Sequence, residues 1–429
     1  MTKISREYTI VCLFCAIYAL FSLVYFYLIY DFNAQLSPDS DGYVTTARNL
    51  IDLLFFSYDG INADTNRTPG YPLLLALFYA LGGDNSVVVI AQVILVAVKL
   101  FVVYQILKLL GVSFRLAFLS LFLIVISLTS FELQFTILTE AFFGSLIIFS
   151  FYFFVKFVKF GARFYDFAIF SALFNYAILV RPILIYFGLL LCVALLIAAA
   201  LKKIKLSIFF IFFIAYLLCC GGWIARNYVQ TGVAKYCTNA AGDQYFAWIL
   251  EYDSTSVNDP RAVVRDLFNE KYPSETIDDL NPAQRAVLLG SVAKEYISAR
   301  PIAYIAKCFT GLFREMFGPT EVAGRLVGFS LSKPIGFIGF IYIFYLCGVY
   351  ALYFAGVLAQ KLKFDITQTY IFALSAYLLV ASAAPGHARY RDPWWQLVII
   401  GAIVSAPFIK KRFYELKNFI KIKCFQRAL

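Results

Sequence analysis

The chain has 429 residues, of which 62% are hydrophobic and only 15% charged, with 46 Phe, 30 Tyr and a mean hydropathy of +0.77. A soluble domain carries roughly a quarter charged residues, so this composition excludes a soluble architecture and implies an all-α polytopic membrane protein. The formal net charge of +11 would suggest nucleic acid on a soluble chain; here it must first be placed relative to the spans.

The first apolar run, residues 10–30, follows Lys3 and Arg6 and ends in Tyr30-Asp31. It exceeds the roughly 7–15 residues of a signal-peptide core and lacks small residues at its end, so it predicts an uncleaved first span with the N-terminus inside. Further spans are expected over residues 86–107, 116–130, 135–154, 167–180, 183–201, 206–224, 335–358, 366–384 and 394–409, giving about ten. Those over 116–130 and 167–180 are short and must borrow flanking residues to cross. Lys108/Arg115, Lys156/Lys159/Arg163, Lys202/Lys203/Lys205, Lys361/Lys363 and the tail from Lys410 then fall on one side, the pattern of the positive-inside rule. The segment after Pro69-Gly70-Tyr71-Pro72 is apolar, but ten helical residues cover about 15 Å against about 30 Å of hydrocarbon. It is expected as a half-inserted or interface helix on the outer side, because a full crossing would reverse every later charge assignment.

Three regions follow from this reading. Residues 1–225 form an N-terminal transmembrane region whose first outer loop, 31–85, holds an amphipathic piece at 42–56 suited to the interface. Residues 226–333 carry twelve basic and twelve acidic residues and read as a small helical outer domain, with one helix opening at Asn281-Pro282 and ending at Arg300-Pro301 and a second apolar-periodic stretch running to Phe317. Residues 334–429 form a C-terminal transmembrane region with a basic cytoplasmic tail.

Water-side metal chemistry has little to draw on. The one histidine, His387, rules out a multi-histidine site, and the nine cysteines lie mostly in apolar runs as small core hydrophobes. Cys12 and Cys15 have CxxC spacing inside a span with no second pair, and the outer Cys237 and Cys308 could pair only in an oxidising compartment.

Polar groups at membrane depth are costly, so their placement is the main functional clue. Asp39 and Asp41 precede Tyr43 at the start of the interface helix, where they either cap the helix or supply a general base at the bilayer surface. Arg67 precedes the PGYP segment, Arg181 separates two apolar runs, Arg226 follows Trp223, and Arg389 and Arg391 lie in GHARYRDP. A single arginine at an outer end is ordinarily a snorkelling contact to lipid phosphate. Four separate outer ends bearing arginine point instead to an anionic ligand, most simply a phosphate gripped by guanidinium groups. Glu140 adds a carboxylate at similar depth, either a helix-start glutamate or part of the site, and Lys99 is expected to snorkel or to pair with a buried carboxylate. A base and phosphate-binding arginines at the lipid surface suit attack of an acceptor on a sugar carried by a lipid phosphate.

The motifs PDSDGY…ARNL, RTPGYPLLLAL, LTEAFF, WIARNY and RYRDP occur in that order. Together they resemble the C-type (GT-C) membrane glycosyltransferases, in the branch of dolichyl-phosphate-mannose–protein mannosyltransferases and the lipid A aminoarabinose transferase, from about residue 7 to 409. The resemblance implies a GT-C bundle with Asp39 as the catalytic carboxylate and Asp41 in reserve, since DSD stands where relatives often have adjacent acids. It further implies Arg67 at the donor phosphate, Glu140 in support, and Arg389 with Tyr390 at the donor phosphate or the cavity mouth. The implied activity is inverting sugar transfer from a polyprenyl-phosphate donor to a lipid-linked glycan, lipid A or protein acceptor on the outer face. No cofactor is required, and a divalent metal is compatible with the site without being demanded by it. A lipid-linked saccharide transporter or flippase, which would place ionisable groups near the bilayer midplane, and an O-antigen ligase or polymerase are the rival readings. The predicted inner segments hold 19 basic residues against Glu7, Asp166, Asp365 and Glu415. The excess charge therefore reports orientation toward anionic headgroups, with membrane lipids rather than nucleic acid as partner.

Overall fold

The computed structural model describes residues 3–161, 163–239, 260–272, 279–318, 337–360 and 365–426. These residues form an all-helical bundle whose extended structure is a single parallel bridge between Gln35 and Thr136. In chain order come α1 (Lys3–Tyr30), α2 (Pro38–Asp52), α3 (Gly70–Ala80), α4 (Asn85–Leu109), α5 (Phe114–Val125), α6 (Leu128–Leu133), α7 (Thr139–Lys159) and α8 (Phe164–Val180). A 3-10 turn (Pro182–Leu184) leads into α9 (Ile185–Ala200), and α10 (Leu206–Tyr216) continues through a π turn into α11 (Gly222–Thr231). The remainder comprises α12 (Pro260–Lys271), α13 (Pro282–Ala299), α14 (Pro301–Phe317), α15 (Phe337–Ala359), α16 (Ile366–Ala381), a 3-10 turn (Ala388–Arg391) and α17 (Asp392–Gln426).

Among the described residues seven helices are long and apolar enough to cross a membrane, and α5, α8 and α16 supply shorter apolar helices where the remaining three spans are expected. The all-α polytopic architecture read from composition is thus borne out. Leu13, Ile17, Leu20, Val24 and Leu28 of α1 are exposed on the outside of the bundle, a face that only hydrocarbon could solvate. The short helix α3 is present at the PGYP segment. Asn281 caps α13 in a reciprocal capping box with Gln284, and Pro301 opens α14, as the sequence indicates. Lys361 and Lys363 lie outside the described residues, as do 240–259, 273–278 and 319–333 of the outer segment.

Two spans differ from expectation. The span expected over 116–130 ends at Val125, because the Ser127 side chain accepts from Ser130 N and starts the separate helix α6. The next begins at Thr139 rather than at residue 135, because the backbone before it pairs with the first loop. Gln35 N donates to Phe135 O and Ile137 N to Gln35 O, both at 3.0 Å.

This extended segment is unusual at membrane depth, where backbone polar groups must be satisfied by the protein. Gln92 of α4 meets the need by donating Nε2 to the carbonyls of Gln134 (3.2 Å) and Thr136 (3.0 Å), while its Oε1 accepts from the buried Tyr71 hydroxyl of α3 at 3.0 Å. One side chain thereby ties α3, α4 and the entry to α7 together. The entry is at the same end of the bundle as the start of α4, where Ser86 Oγ donates to Phe32 O just past the end of α1. The opposite end holds the pairs Lys108–Glu7 (3.1 Å) and Lys156–Asp166 (2.8 Å).

Replacing Gln92 by Leu leaves the Tyr71 hydroxyl without its acceptor and removes one donor from two carbonyls. It is expected to lower stability by about 2–3 kcal/mol, measured by thermal unfolding in detergent.

Candidate active site

The walls of one cavity of about 870 Å³ bring together Asp39, Arg67, Glu140, Arg181, Arg389 and Tyr390. All but Arg67 arrive from a helix end. Asp39 sits in the first turn of α2, Glu140 in the first turn of α7, and Arg181 in the extended residue between α8 and Pro182. Arg389 and Tyr390 lie in the 3-10 turn that precedes α17. Helix starts favour carboxylates, because the unpaired amides there carry partial positive charge.

Asp39 does not cap its helix in the manner its position suggests. The serines do so, with Ser37 N donating to Ser40 Oγ at 2.8 Å. The Asp39 carboxylate is left to reach Arg389, whose Nη2 donates to Oδ2 at 2.6 Å. Glu140 is only 2% exposed and stands between two guanidinium groups, with Oε1 at 3.1 Å from Arg181 Nη1 and 3.6 Å from Arg389 Nε. Carboxylate and guanidinium groups thus alternate along Asp39, Arg389, Glu140 and Arg181. Leaving the buried Glu140 without a partner would typically cost about 3–5 kcal/mol, whereas the half-exposed Asp39 depends less on its pair. The Tyr390 ring steadies both cations, 5.0 Å from the Arg181 guanidinium and 5.2 Å from that of Arg389, and its hydroxyl lies 3.3 Å from Arg389 Nη2.

Arg67 approaches from the first outer loop. Its guanidinium lies between the rings of Tyr43 and Tyr58 and 3.4 Å from Asp64 Oδ2. Its path runs across Gly42, where a Cβ would stand 1.6 Å from Arg67 Nη2, so only glycine leaves the arginine its place. Burial, and then the nearby Glu140, raise Tyr43 well above the ordinary tyrosine range, so its hydroxyl stays neutral beside the cavity. The lining also includes Ile183, Ile185, Tyr186 and Tyr377, of which Tyr186 is exposed at the surface of the bundle.

Three residues marked by the sequence lie elsewhere. Asp41 points outward, accepting from Tyr58 at 2.7 Å and from Thr45 at 3.4 Å, so it touches the site only through the tyrosine beside Arg67. Arg226 donates to the carbonyls of Asp64 (2.7 Å) and Phe56 (2.8 Å) and stacks on Trp223, which closes the base of the first loop. Arg391 is fully buried and donates to the carbonyls of Glu315, Met316 and Gly318 and to the hydroxyls of Thr129 and Tyr342. Neither Arg226 nor Arg391 lines the cavity.

Sequence reasoning also passed over Asp64. Its carboxylate accepts from the backbone of Asn66 and Arg67, from Thr46 and from the Arg67 side chain, and so sets the arginine's direction. The aspartate three residues before Arg67 was the available signal. Lys99 is buried, and it and Asp392 both face Gly144, where a Cβ would lie 3.9 Å from Lys99 Nζ and 3.5 Å from Asp392 Oδ2. Among the described residues no three His, Cys, Asp or Glu side chains are grouped to hold a metal ion, and Cys237 Sγ donates to Asn66 O at 2.9 Å instead of forming a disulfide with Cys308.

Residues 66–224 match the family model described as dolichyl-phosphate-mannose-protein mannosyltransferase. The resemblance read from the motifs is borne out over that stretch. The match takes in Arg67, Glu140 and Arg181, while Asp39 and Arg389 fall outside it, and it points to a membrane glycosyltransferase. Crystal structures of ArnT from Cupriavidus metallidurans, one bound to undecaprenyl phosphate and one in the apo state, align over 92% of this chain and 77% of theirs. Identity is 12% for the first and 13% for the second, with TM-scores of 0.42 and 0.39. No match is found among curated proteins.

The two arginines of the RYR motif should separate by experiment. Arg391→Lys cannot fill five hydrogen-bonding positions from one ammonium, and is expected to cost at least about 3 kcal/mol in thermal stability. Arg389→Lys, at the cavity wall, is expected to cost about 1 kcal/mol or less while changing ligand binding.

Proposed function

We propose that the chain is an inverting glycosyltransferase of GT-C type that takes a sugar from a polyprenyl-phosphate donor on the outer face of the membrane. The observation that carries this reading is the alternation of Asp39, Arg389, Glu140 and Arg181 in a cavity whose lining also includes Ile183, Ile185, Tyr186 and Tyr377. The apolar side chains accept the first isoprene units, and the guanidinium groups bind the phosphate.

Asp39 is the general base. It takes the proton of the acceptor hydroxyl or amine as the nucleophile attacks the anomeric carbon, and the bond from that carbon to the phosphate oxygen breaks. The negative charge that develops on the departing phosphate is met by Arg389, already in contact with Asp39, and by Arg181 and Arg67. One direct displacement inverts the anomeric centre. Glu140 supports the site by holding Arg181 and Arg389 apart at fixed positions. Asp41 acts through Tyr58 on Arg67, while Arg226 shapes the first loop from outside the cavity. No step calls for a cofactor, and a divalent metal is optional because the arginines already supply the positive charge.

The acceptor is a lipid-linked glycan, lipid A or a protein. In this reading the basic ends near Lys108 and Lys156 and both termini are cytoplasmic and the cavity is periplasmic in a bacterial inner membrane, which the positive-inside tendency supports.

Radiolabelled sugar transfer from a purified polyprenyl-phosphate donor into acceptor-containing vesicles tests the assignment. Asp39→Asn is expected to fold normally and to lose about 10²-fold or more in transfer. Full transfer by that variant would remove Asp39 as the base. Absence of transfer by either protein, with lipid translocation retained, would favour a transporter.

A further inference from the structure

Glu315 lies near the C-terminal end of α14 and is fully buried, with 0% exposure. Its Oε1 accepts from Ser382 Oγ at 2.8 Å and from Trp394 Nε1 at 2.9 Å, while Oε2 is buried without a hydrogen-bond partner. Ser382 and Trp394 stand at the two ends of the segment that presents Arg389 and Tyr390, and Ser382 itself lines the cavity. A single carboxyl oxygen therefore closes the stem of this loop. The rest of the seat is equally close. Arg391 donates to the carbonyls of Glu315 (2.9 Å), Met316 (2.8 Å) and Gly318 (3.1 Å), and a Cβ at Gly311 would stand 1.8 Å from Ala383 O.

We propose that Glu315 is a positioning residue of the transfer site, which staples both ends of the 382–394 loop to α14 and so fixes Arg389 against Asp39 and Glu140. Oε1 can accept both donors in either state of the carboxyl, and burial favours the neutral one, in which the enclosed Oε2 carries no unanswered negative charge. Burial raises the Glu315 carboxyl to about 7, against opposing pulls from Trp394, Ser382, Arg391 and Arg181. The groups that face this seat are Arg391 of the 3-10 turn, Arg181 beyond α8, and Tyr350 of α15, which donates to Met316 O at 3.3 Å. Lys307 and Arg314 of α14 face His387 of the loop, whose own proton affinity is lowered first by burial and then by Arg389. Because the folded carboxyl binds its proton more tightly than the unfolded one, the stability it confers is complete below its ordinary value of 4.5. That contribution is lost as the pH rises through about 7.

The proposal rests on the transferase reading for its ligand but not for the staple itself, and two readouts on the full chain in lipid nanodiscs separate them. Undecaprenyl phosphate affinity and thermal midpoint are followed from about pH 5 to about pH 8.5 for wild type, Glu315→Gln, Glu315→Ala and Ser382→Ala. Relative to Glu315→Gln, which cancels titration of the phosphate, wild-type affinity is expected to fall about tenfold across that range, and its midpoint to fall with it. Glu315→Ala and Ser382→Ala are expected to bind about tenfold more weakly than Glu315→Gln near pH 6. Parallel pH profiles for wild type and Glu315→Gln, or undiminished binding by folded Glu315→Ala, would overturn the staple. Should no variant bind undecaprenyl phosphate while the midpoints follow the expected pattern, the staple stands and the ligand assignment falls.

Discussion

Charges brought to membrane depth must answer one another, and here the answer is the alternating set Asp39, Arg389, Glu140 and Arg181. An isolated ion at such depth costs several kcal/mol, which excludes most positions in a bundle of this composition. Pairing removes most of that cost and also fixes direction, because a guanidinium held between two carboxylates has little freedom to turn. The helices are arranged to serve this constraint. The first turns of α2 and α7, the exit of α8 and the turn before α17 all converge at one end, and each carries one charge of the set.

The enclosure of the spans follows the same logic. Most of the apolar stretch of α7 and of the 3-10 turn with α17, which carry Glu140 and Arg389, is buried in the bundle. Only about a fifth is buried in α1, in α9 with its preceding turn, and in α10 with α11. Placing the charged residues on the enclosed helices keeps them from hydrocarbon. Ile185 and Tyr186 at the start of α9 bring apolar surface to the cavity that the charged residues also line.

Much of this was legible in the sequence, for identifiable reasons. Composition and span length fix an all-helical bundle because few structures satisfy every backbone group in lipid. The outer arginines stood out because they oppose the charge bias of membrane loops. That logic does not distinguish Arg389, on the cavity, from Arg391, two residues away and buried among carbonyls, since both lie in the same short turn. Arg226 likewise satisfies the pattern while serving the first loop. Glu315 was not legible, because its role comes from Ser382 and Trp394, distant in sequence, whereas Asp64 left a local signal in its place three residues before Arg67. The extended entry to α7 was hidden for a similar reason, since its hydrogen bonds go to Gln35 and Gln92.

The central claim is that these charges act as one unit in holding an anionic lipid headgroup. The most direct measurement is a double-mutant cycle on undecaprenyl phosphate affinity, comparing Glu140→Gln, Arg389→Gln and the double variant with wild type. If Glu140 acts by orienting Arg389, the two losses should be non-additive by about 1 kcal/mol or more. Losses that add to within about 0.5 kcal/mol would show that the two residues work independently, and would contradict the account.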